Sequence, residues 1–216
     1  MSQAVTVVGI DEAGRGPVLG PLVMCGALIR ADQACELRRL GVRDSKCLSP
    51  ARREQIAQVL EAVLLDFRLI SISPEQIDCT NLNYLELEAA ASLIRSLKPT
   101  EAVLDAPTRN CAAYARSLQA LLEPETCPRL LVENFADATY PVVGAASILA
   151  KVTRDREIAR LACQYGELGS GYPGDGKTRT FLRRCVRAGR FPPIVRRRWR
   201  TVEHIEAELT QRPLLA

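Results

Sequence analysis

The order of apolar patterns along the chain limits its fold more than any other feature. Short β-branched runs, which predict strands, come first; strands and helices then alternate, and the last part indicates helices alone. We therefore predict an α/β fold in which helices flank a mixed central sheet. The predicted strands cover residues 4–10, 22–29, 67–72, 102–104 and 130–132. One predicted helix begins at Ser49-Pro50, and the others cover residues 82–97, 112–122, 142–163, 178–188 and 201–209.

The length and the apolar runs limit where the protein can work. A chain of 216 residues is long enough for one domain with a substantial core. No segment approaches the roughly 20 uncharged apolar residues that a membrane helix needs. The residues before Asp11 lack the basic region of a signal peptide. We expect a cytoplasmic protein that does not associate with membranes.

The cysteines and the single histidine exclude several kinds of site. Eight cysteines are spread along the chain, and no pair has the C-x-x-C spacing of a zinc or redox motif. His204 is the only histidine, which excludes H-E-x-x-H proteases, histidine-rich metal sites and most Ser-His or Cys-His nucleophile pairs. Any catalysis must therefore depend on carboxylates, lysine, tyrosine or metal ions.

Positive charge is concentrated at the C-terminal end of the chain. Residues 177–216 hold 11 Lys and Arg against three Glu, a net charge of +8, whereas residues 1–176 carry −4. The densest part is Arg196-Arg197-Arg198 followed by Trp199 and Arg200. An acidic body with a basic C-terminal segment is typical of a protein that holds a polyanion beside a site of carboxylates. A solvated charged face without a partner is the alternative.

Carboxylates follow two of the predicted strands. Asp11 and Glu12 come directly after the first strand, and Asp105 follows the short run 102–104. Because the carboxyl ends of neighbouring parallel strands lie at one edge of a sheet, adjacency of the two strands would bring Asp11 and Asp105 together. Taken singly, each of these residues could also be a turn or cap residue.

A fourth carboxylate, Asp155, falls on the apolar stripe of the helix predicted over residues 142–163. The stripe is formed by Ile148, Val152, Asp155 and Ala159. This position predicts that Asp155 points to the core. An ion pair with Arg154 or Arg156 is disfavoured because neighbours on a helix do not face each other, whereas Lys151 lies one turn earlier. Ser147 and Lys151 flank the stripe, where they could contact a phosphate.

Converging carboxylates in a chain with one histidine indicate a hard divalent cation. Mg²⁺ prefers oxygen ligands and keeps several waters, so a few carboxylates and substrate phosphate oxygens are sufficient. Two such ions can activate a water molecule and stabilise the leaving oxygen of a phosphodiester.

A second motif matches the P-loop pattern G-x-x-x-x-G-K-[ST] between Gly171 and Thr178. A P-loop needs a buried strand that enters the loop, so that backbone amides surround a phosphate at a helix N-terminus. Residues 164–170 are instead a polar, glycine-containing helix exit. We therefore predict that the motif binds no nucleotide, and a P-loop NTPase is the weakest alternative.

The carboxylates lie in segments whose order resembles a known family. The segments are Gly9-Ile10-Asp11-Glu12-Ala13-Gly14-Arg15-Gly16-Pro17, Asp44-Ser45-Lys46, Leu104-Asp105-Ala106, the run from Ala145 to Arg156, and Gly169-Ser170-Gly171-Tyr172-Pro173. They span most of the chain and resemble ribonuclease HII, the type 2 ribonuclease H family. The resemblance implies a ribonuclease H-like catalytic domain over residues 1–175 and a basic helical C-terminal extension over residues 176–216 packed on it. A single domain that includes both parts is the alternative.

The resemblance also implies the activity and the residues that perform it. The expected enzyme hydrolyses the RNA strand of RNA–DNA hybrids and nicks duplex DNA 5′ of embedded ribonucleotides, leaving 5′-phosphate and 3′-hydroxyl ends. Two Mg²⁺ or Mn²⁺ ions would bind the catalytic carboxylates Asp11, Glu12, Asp105 and Asp155. The ribose 2′-hydroxyl would be read by the backbone of Gly14, Arg15 and Gly16 and by Tyr172. Phosphate contacts would come from Lys46, Ser147 and Lys151.

The implied partners are RNA–DNA hybrids and ribonucleotide-containing duplex DNA. A sliding clamp is a further candidate partner, although the sequence contains no strong motif for one, and we expect a monomer. A protein that binds hybrids without cleaving them is the second interpretation. The complete set of four carboxylates argues against it.

Overall fold

The computed structural model describes residues 4–42 and 48–210, so the predicted phosphate contact Lys46 lies outside the described residues. The strands are β1 (Thr6–Ala13), β2 (Leu22–Arg30), β3 (Asp66–Ile72), β4 (Glu101–Asp105) and β5 (Arg129–Glu133). They form one sheet in the order β3-β2-β1-β4-β5. Strand β1 is antiparallel to β2 and parallel to β4, and β4 is parallel to β5. The sheet is therefore mixed, which confirms the predicted fold class.

Helices connect and cover the strands. They are α1 (Ala34–Arg39), α2 (Pro50–Val63), α3 (Pro74–Cys79), α4 (Leu82–Leu97), α5 (Cys111–Ala120), α6 (Ala136–Thr139), α7 (Pro141–Tyr165), α8 (Gly176–Arg187) and α9 (Arg200–Thr210). The predicted start of α2 is confirmed, because the Ser49 side chain accepts a hydrogen bond from the Arg52 N–H at 3.2 Å and Pro50 is the first helical residue. Within residues 4–42 and 48–210, no helix is both long and apolar enough to cross a membrane.

Strand β1 is longer than its apolar run predicts. The prediction that it ends at Ile10 is wrong, because Asp11 and Glu12 continue the ladder opposite Cys25 and Met24 of β2. Backbone pairing with an antiparallel neighbour does not depend on the polarity of the side chains, so the strand continues through both carboxylates. The acidic pair therefore lies on a rigid strand and not in a turn.

The chain forms two compact units whose segments alternate along the sequence. The first contains Met1–Ala13, Val23–Ser71 and Leu82–Thr153, and the second contains Gly14–Leu22, Ile72–Asn81 and Arg154–Ala216. The described part of the predicted basic extension, residues 176–210, falls in the second unit. A domain boundary after residue 175 stays a prediction.

The core of the first unit lies between the sheet and three helices. Alternate residues of β2, such as Cys25 and Ala27, pack with α1, α2 and the first part of α7. The opposite face of β2 contacts α4, since a Cβ at Gly26 would lie 2.8 Å from Leu97 and 3.4 Å from Leu93. Helices thus cover both faces of the sheet, as a sheet with parallel strands requires.

The second unit has an apolar core of its own. Buried residues of α7, α8 and α9 pack with Val18, Leu19, Ile194 and Val195. Loops that contain these residues are held by backbone hydrogen bonds, for example from the Val18 N–H to the Gly171 carbonyl at 2.8 Å. Two helices, α8 and α9, make up most of the described C-terminal region, residues 176–210, as predicted.

Candidate active site

Three carboxylates lie together at the ends of β1 and β4 in the first unit. The parallel register pairs Ile10 with Leu104, so Asp11 and Asp105 follow as the next residues of neighbouring strands. This confirms the predicted adjacency of the two aspartates. Asp11 is buried, with 5% of its surface exposed. The Asp105 carboxylate accepts a hydrogen bond from the Ala136 N–H at 3.0 Å, so the start of α6 fixes its orientation.

The surroundings of Asp11 oppose its negative charge. Burial raises the pKa of Asp11 well above its ordinary value, and the charges of Glu12 and Asp105 raise it further. Hydrogen bonds from the Ser147 hydroxyl and, at 2.8 Å, from the Glu12 N–H lower this pKa but do not offset the other effects. Burial also raises the pKa of the Cys25 thiol, and the charge of Asp11 contributes to that increase. The site therefore favours the binding of a positive ion.

Helix α7 supplies two of the predicted phosphate contacts to the first unit. Ser147 is buried and its hydroxyl binds Asp11, whereas Lys151, one turn later, is half-buried. The close approach of α7 to β1 depends on Gly9, because a Cβ there would overlap the backbone carbonyl of Val142. The glycine two residues before Asp11 thus permits Ser147 to reach the carboxylate.

The donor atoms at this site suit a hard cation in an open site. Among the described residues, no three or more carboxylate, thiol or imidazole groups are gathered closely enough to hold a metal ion by themselves, so the protein provides no preformed cage. Mg²⁺ does not require such a cage, because it usually keeps several waters and binds one or two carboxylates together with substrate phosphates. Asp11, Glu12 and Asp105 supply only oxygen ligands, and their mutual repulsion would be relieved by a divalent ion. These residues therefore fit the predicted metal.

The second unit contains the predicted sugar-reading residues. Gly14 has a φ of 95°, and a Cβ there would lie 2.7 Å from both Arg154 and the Pro21 carbonyl, so only glycine fits. Tyr172 is 39% exposed, and a Cβ at Gly16 would lie 3.7 Å from its ring. Gly16 and Tyr172 are therefore neighbours, and the structure brings these two predicted residues together.

Asp155 is also in the second unit, because α7 belongs to that unit from Arg154 onward. The prediction that Asp155 points to the core is wrong: 39% of its side chain is exposed, against 1% for Arg154. The ion pair disfavoured from the sequence forms, with Arg154 Nη1 and an Asp155 carboxylate oxygen 3.5 Å apart. Two further contacts hold the Arg154 side chain. Its guanidinium carbon lies over the Tyr172 ring, 5.1 Å from the ring centroid, and its Nη2 donates to the Ser170 carbonyl at 3.0 Å.

Sequence reasoning missed the structural role of Arg196. It belongs to the basic run that indicated a polyanion partner, yet it is completely buried. Its guanidinium donates hydrogen bonds to the carbonyls of Gly14, Arg15 and Gly20. Burial, followed by the charge of Arg154, lowers the pKa of Arg196 to about 9, which leaves it charged at neutral pH. No feature of the run distinguishes Arg196 from its exposed neighbours.

The P-loop interpretation is wrong. No strand enters the segment, because the preceding element is α7, which ends at Tyr165. The anion at the N-terminus of α8 is the chain's own Asp175, whose carboxylate accepts hydrogen bonds from the N–H groups of Ser170, Lys177 and Thr178. These hydrogen bonds lower the pKa of Asp175 to about 2, and the bond from Ser170 has the largest effect. The Thr178 hydroxyl is buried and donates to the Leu168 carbonyl at 2.7 Å, so it is not available to a metal ion.

Comparisons with known proteins give consistent matches to one family. The family model described as Ribonuclease HII matches residues 8–202. Ribonuclease HII of Pyrococcus abyssi is 42% identical, over 96% of this chain and 94% of that protein. The ribonuclease H2 structure from Pyrococcus horikoshii has a TM-score of 0.88 at 41% identity, covering 96% of this chain and 100% of that one.

A further solved structure is the complex of PCNA and RNase HII from Archaeoglobus fulgidus. Its matched chain has a TM-score of 0.84 at 40% identity, and the match covers 92% of this chain and 96% of that one. The matches in sequence and the matches in structure thus indicate the same family. The chain belongs to the ribonuclease HII family.

Proposed function

We propose that this protein is a ribonuclease H that hydrolyses the RNA strand of RNA–DNA hybrids and nicks duplex DNA on the 5′ side of an embedded ribonucleotide. The cut would leave 5′-phosphate and 3′-hydroxyl ends and would serve to remove ribonucleotides and RNA primers from DNA. Membership of the family supports the ribonuclease H activity. The observation that carries the proposal is the group of carboxylates at the ends of β1 and β4, where the pKa of Asp11 is raised.

The carboxylates would hold the metal ions of the reaction. Asp11, Glu12, Asp105 and Asp155 are the proposed ligands, and Mg²⁺ or Mn²⁺ are the proposed ions, since both bind carboxylate oxygens. When bound, two such ions activate a water molecule and stabilise the leaving oxygen of the phosphodiester. The Ser147 hydroxyl and the Glu12 N–H hold the Asp11 carboxylate in one orientation, which reduces the rearrangement that metal binding requires.

Selection of RNA would depend on the loop from Gly14 to Gly16 and on Tyr172. A ribose differs from a deoxyribose by its 2′-hydroxyl, which both donates and accepts hydrogen bonds. Glycines let a sugar approach the backbone closely, and the exposed Tyr172 ring beside Gly16 offers a surface on which the sugar can stack. Lys151 is proposed to contact a phosphate.

Family membership also supports our proposals for the partners and the location of this protein. RNA–DNA hybrids are the substrate class, and the PCNA complex of the Archaeoglobus fulgidus relative supports a sliding clamp as a second partner. We propose that the protein acts as a monomer in the cytoplasm.

The test uses a labelled DNA duplex that carries one ribonucleotide, incubated with the protein and Mg²⁺ or Mn²⁺. Parallel reactions contain an all-DNA duplex or EDTA. We expect a nick 5′ of the ribonucleotide that depends on the metal ion and is absent from the all-DNA duplex. Folded protein that binds the duplex but never nicks it would support the non-catalytic interpretation and contradict the proposal.

Variants connect the activity to the site. Asp11→Asn and Asp155→Asn should each reduce turnover at least about a hundredfold, because the charge stabilisation supplied by a bound ion is worth several kcal/mol. Duplex binding should persist in both. The matched control is Asp32→Asn, which removes an exposed carboxylate of the first unit that pairs with Arg30 at 2.9 Å. Normal turnover in both site variants would refute the assigned roles.

A further inference from the structure

Arg196 makes an unusual set of contacts for a buried charge. Its Nε donates to the Gly20 carbonyl at 3.0 Å, its Nη1 to the Arg15 carbonyl at 3.2 Å and its Nη2 to the Gly14 carbonyl at 2.6 Å. The side chain has no exposed surface. Burial of a guanidinium is costly unless its donors are satisfied, and here each of its three nitrogens donates to a carbonyl between Gly14 and Gly20. The loop carbonyls therefore satisfy this buried charge, and the nearby negative charge of Asp78 also favours it.

Trp199 completes the contacts to the same loop. Its Nε1 donates to the Gly16 carbonyl at 3.2 Å, and its ring lies against the Arg196 guanidinium, 4.9 Å from the ring centroid. The carbonyls of three consecutive residues, 14 to 16, are thus held by two side chains from one turn. That turn is fixed in place by Asp78, whose carboxylate accepts hydrogen bonds from the N–H groups of residues 197 and 198 at 2.7 and 3.1 Å.

These contacts determine where the loop's amides point. In a trans peptide the carbonyl of one residue and the N–H of the next lie in one plane and point in opposite directions, and the described chain contains no cis peptide. Fixing the carbonyls of Gly14 and Arg15 toward Arg196 therefore directs the N–H groups of Arg15 and Gly16 away from it. Gly16 is the residue beside the exposed ring of Tyr172.

We propose that Arg196 and Trp199 are positioning residues that hold the backbone of Gly14, Arg15 and Gly16 in the orientation that recognises the ribose 2′-hydroxyl. The inference rests on the proposed function, in which this loop reads the sugar. Neither side chain takes part in the chemistry. Their removal should therefore reduce the preference for ribonucleotides and leave binding to plain DNA unchanged.

The test measures two dissociation constants of the 216-residue chain, one for a duplex with one ribonucleotide and one for the same duplex in all-DNA form. Ca²⁺ replaces Mg²⁺ in both measurements so that binding is observed without turnover. Arg196→Lys keeps the charge but loses the planar set of donors. Trp199→Phe keeps an aromatic ring against the guanidinium but loses the donor to Gly16. Arg160→Lys, an exposed residue of α7 paired with Glu157, is the matched control. Melting temperatures confirm that each variant is folded.

The preference is the dissociation constant for the all-DNA duplex divided by that for the ribonucleotide-containing duplex. We expect this ratio to fall at least about fivefold in Arg196→Lys and Trp199→Phe, because a displaced hydrogen-bond donor at a binding site has roughly this effect. The affinity for all-DNA duplex and the ratio in Arg160→Lys should not change. If Arg196→Lys does not fold, Trp199→Phe alone decides. Folded variants with the wild-type ratio would overturn the inference. A wild-type protein without any preference would instead refute the proposed role of the loop itself.

Discussion

The contact between Gly9 and α7 makes a quantitative prediction. Gly9 lies on β1 two residues before Asp11, on the same face of the strand. In Gly9→Ala the new methyl group would overlap the carbonyl carbon and oxygen of Val142 and lie 2.5 Å from the Val143 nitrogen. Ordinary contacts of a Cβ begin near 3.4 Å. Helix α7 would have to move by about 1 Å, since backbone atoms have no alternative rotamer that could relieve the overlap.

The displacement should reduce both stability and activity. Overpacking in a core usually lowers the free energy of unfolding by about 1–3 kcal/mol. For Gly9→Ala we expect a loss of about 3 kcal/mol, because the new methyl group meets backbone atoms. For a protein of this size, each kcal/mol lowers the melting temperature by roughly 2–4 °C, so we expect a decrease of about 6–12 °C. The same movement separates Ser147 from Asp11, and a misplacement of about 1 Å can reduce turnover on the order of a hundredfold.

The assays are thermal unfolding followed by circular dichroism and the nicking reaction on the ribonucleotide-containing duplex. Gly176→Ala is the matched control, because a Cβ at this first residue of α8 meets no atom within 4 Å. It should stabilise the protein by about 0.4–1 kcal/mol and leave turnover unchanged. A melting temperature of Gly9→Ala within about 2 °C of the wild type, with full turnover, would show that α7 is not in such close contact with β1.

Three further predictions concern single side chains. Ser147→Ala removes a hydrogen bond that lowers the pKa of Asp11, so the acidic limb of the pH–rate profile should move to higher pH; an unchanged limb would contradict this coupling. Asp175→Ala should cost about 1–2 kcal/mol in urea unfolding at pH 7. The pKa of Asp175 is lowered to about 2 in the folded protein, against about 3.8 in the unfolded chain. The loss of stability in Asp175→Ala should therefore be fully present above pH 3.8 and should disappear as the pH falls toward 2. A loss of stability that does not depend on pH would exclude the charged helix cap as its cause. Lys177→Ala breaks an exposed ion pair with Glu167, so the urea unfolding midpoint should not change measurably and nicking should remain measurable. Loss of nicking in this variant would contradict a purely surface role for Lys177.

Much of the fold follows from local patterns in the sequence. Alternating and β-branched runs locate all five strands of the described chain, and helical spacing locates the long helices, because each pattern extends over several repeats. The adjacency of Asp11 and Asp105 follows as well, since carboxyl ends of parallel strands share one edge of the sheet. Helices α1, α3 and α6, with six, six and four residues, were not predicted, because fewer than two turns give no measurable period.

Other features depend on contacts that no local pattern contains. The helical stripe of α7 places Asp155 toward the core, but the structure buries the preceding Arg154 instead. A period of 3.6 residues gives only an approximate direction, and the choice between neighbouring positions depends on which side chain finds partners. Arg154 finds the Ser170 carbonyl and the Tyr172 ring, whereas Asp155 is more stable near solvent.

Arg196 illustrates the same limit for the site itself. After β1 the chain leaves the sheet, and Gly14, Gly16 and Pro17 give it a conformation in which the carbonyls have no ladder partners. Buried carbonyls need donors from elsewhere, and a guanidinium can supply several in one plane. The donor stands 182 residues from Gly14, so no sequence window contains both. A glycine- and proline-containing loop after a strand thus predicts that a donor must exist, whereas only the tertiary structure shows which of the clustered arginines supplies it.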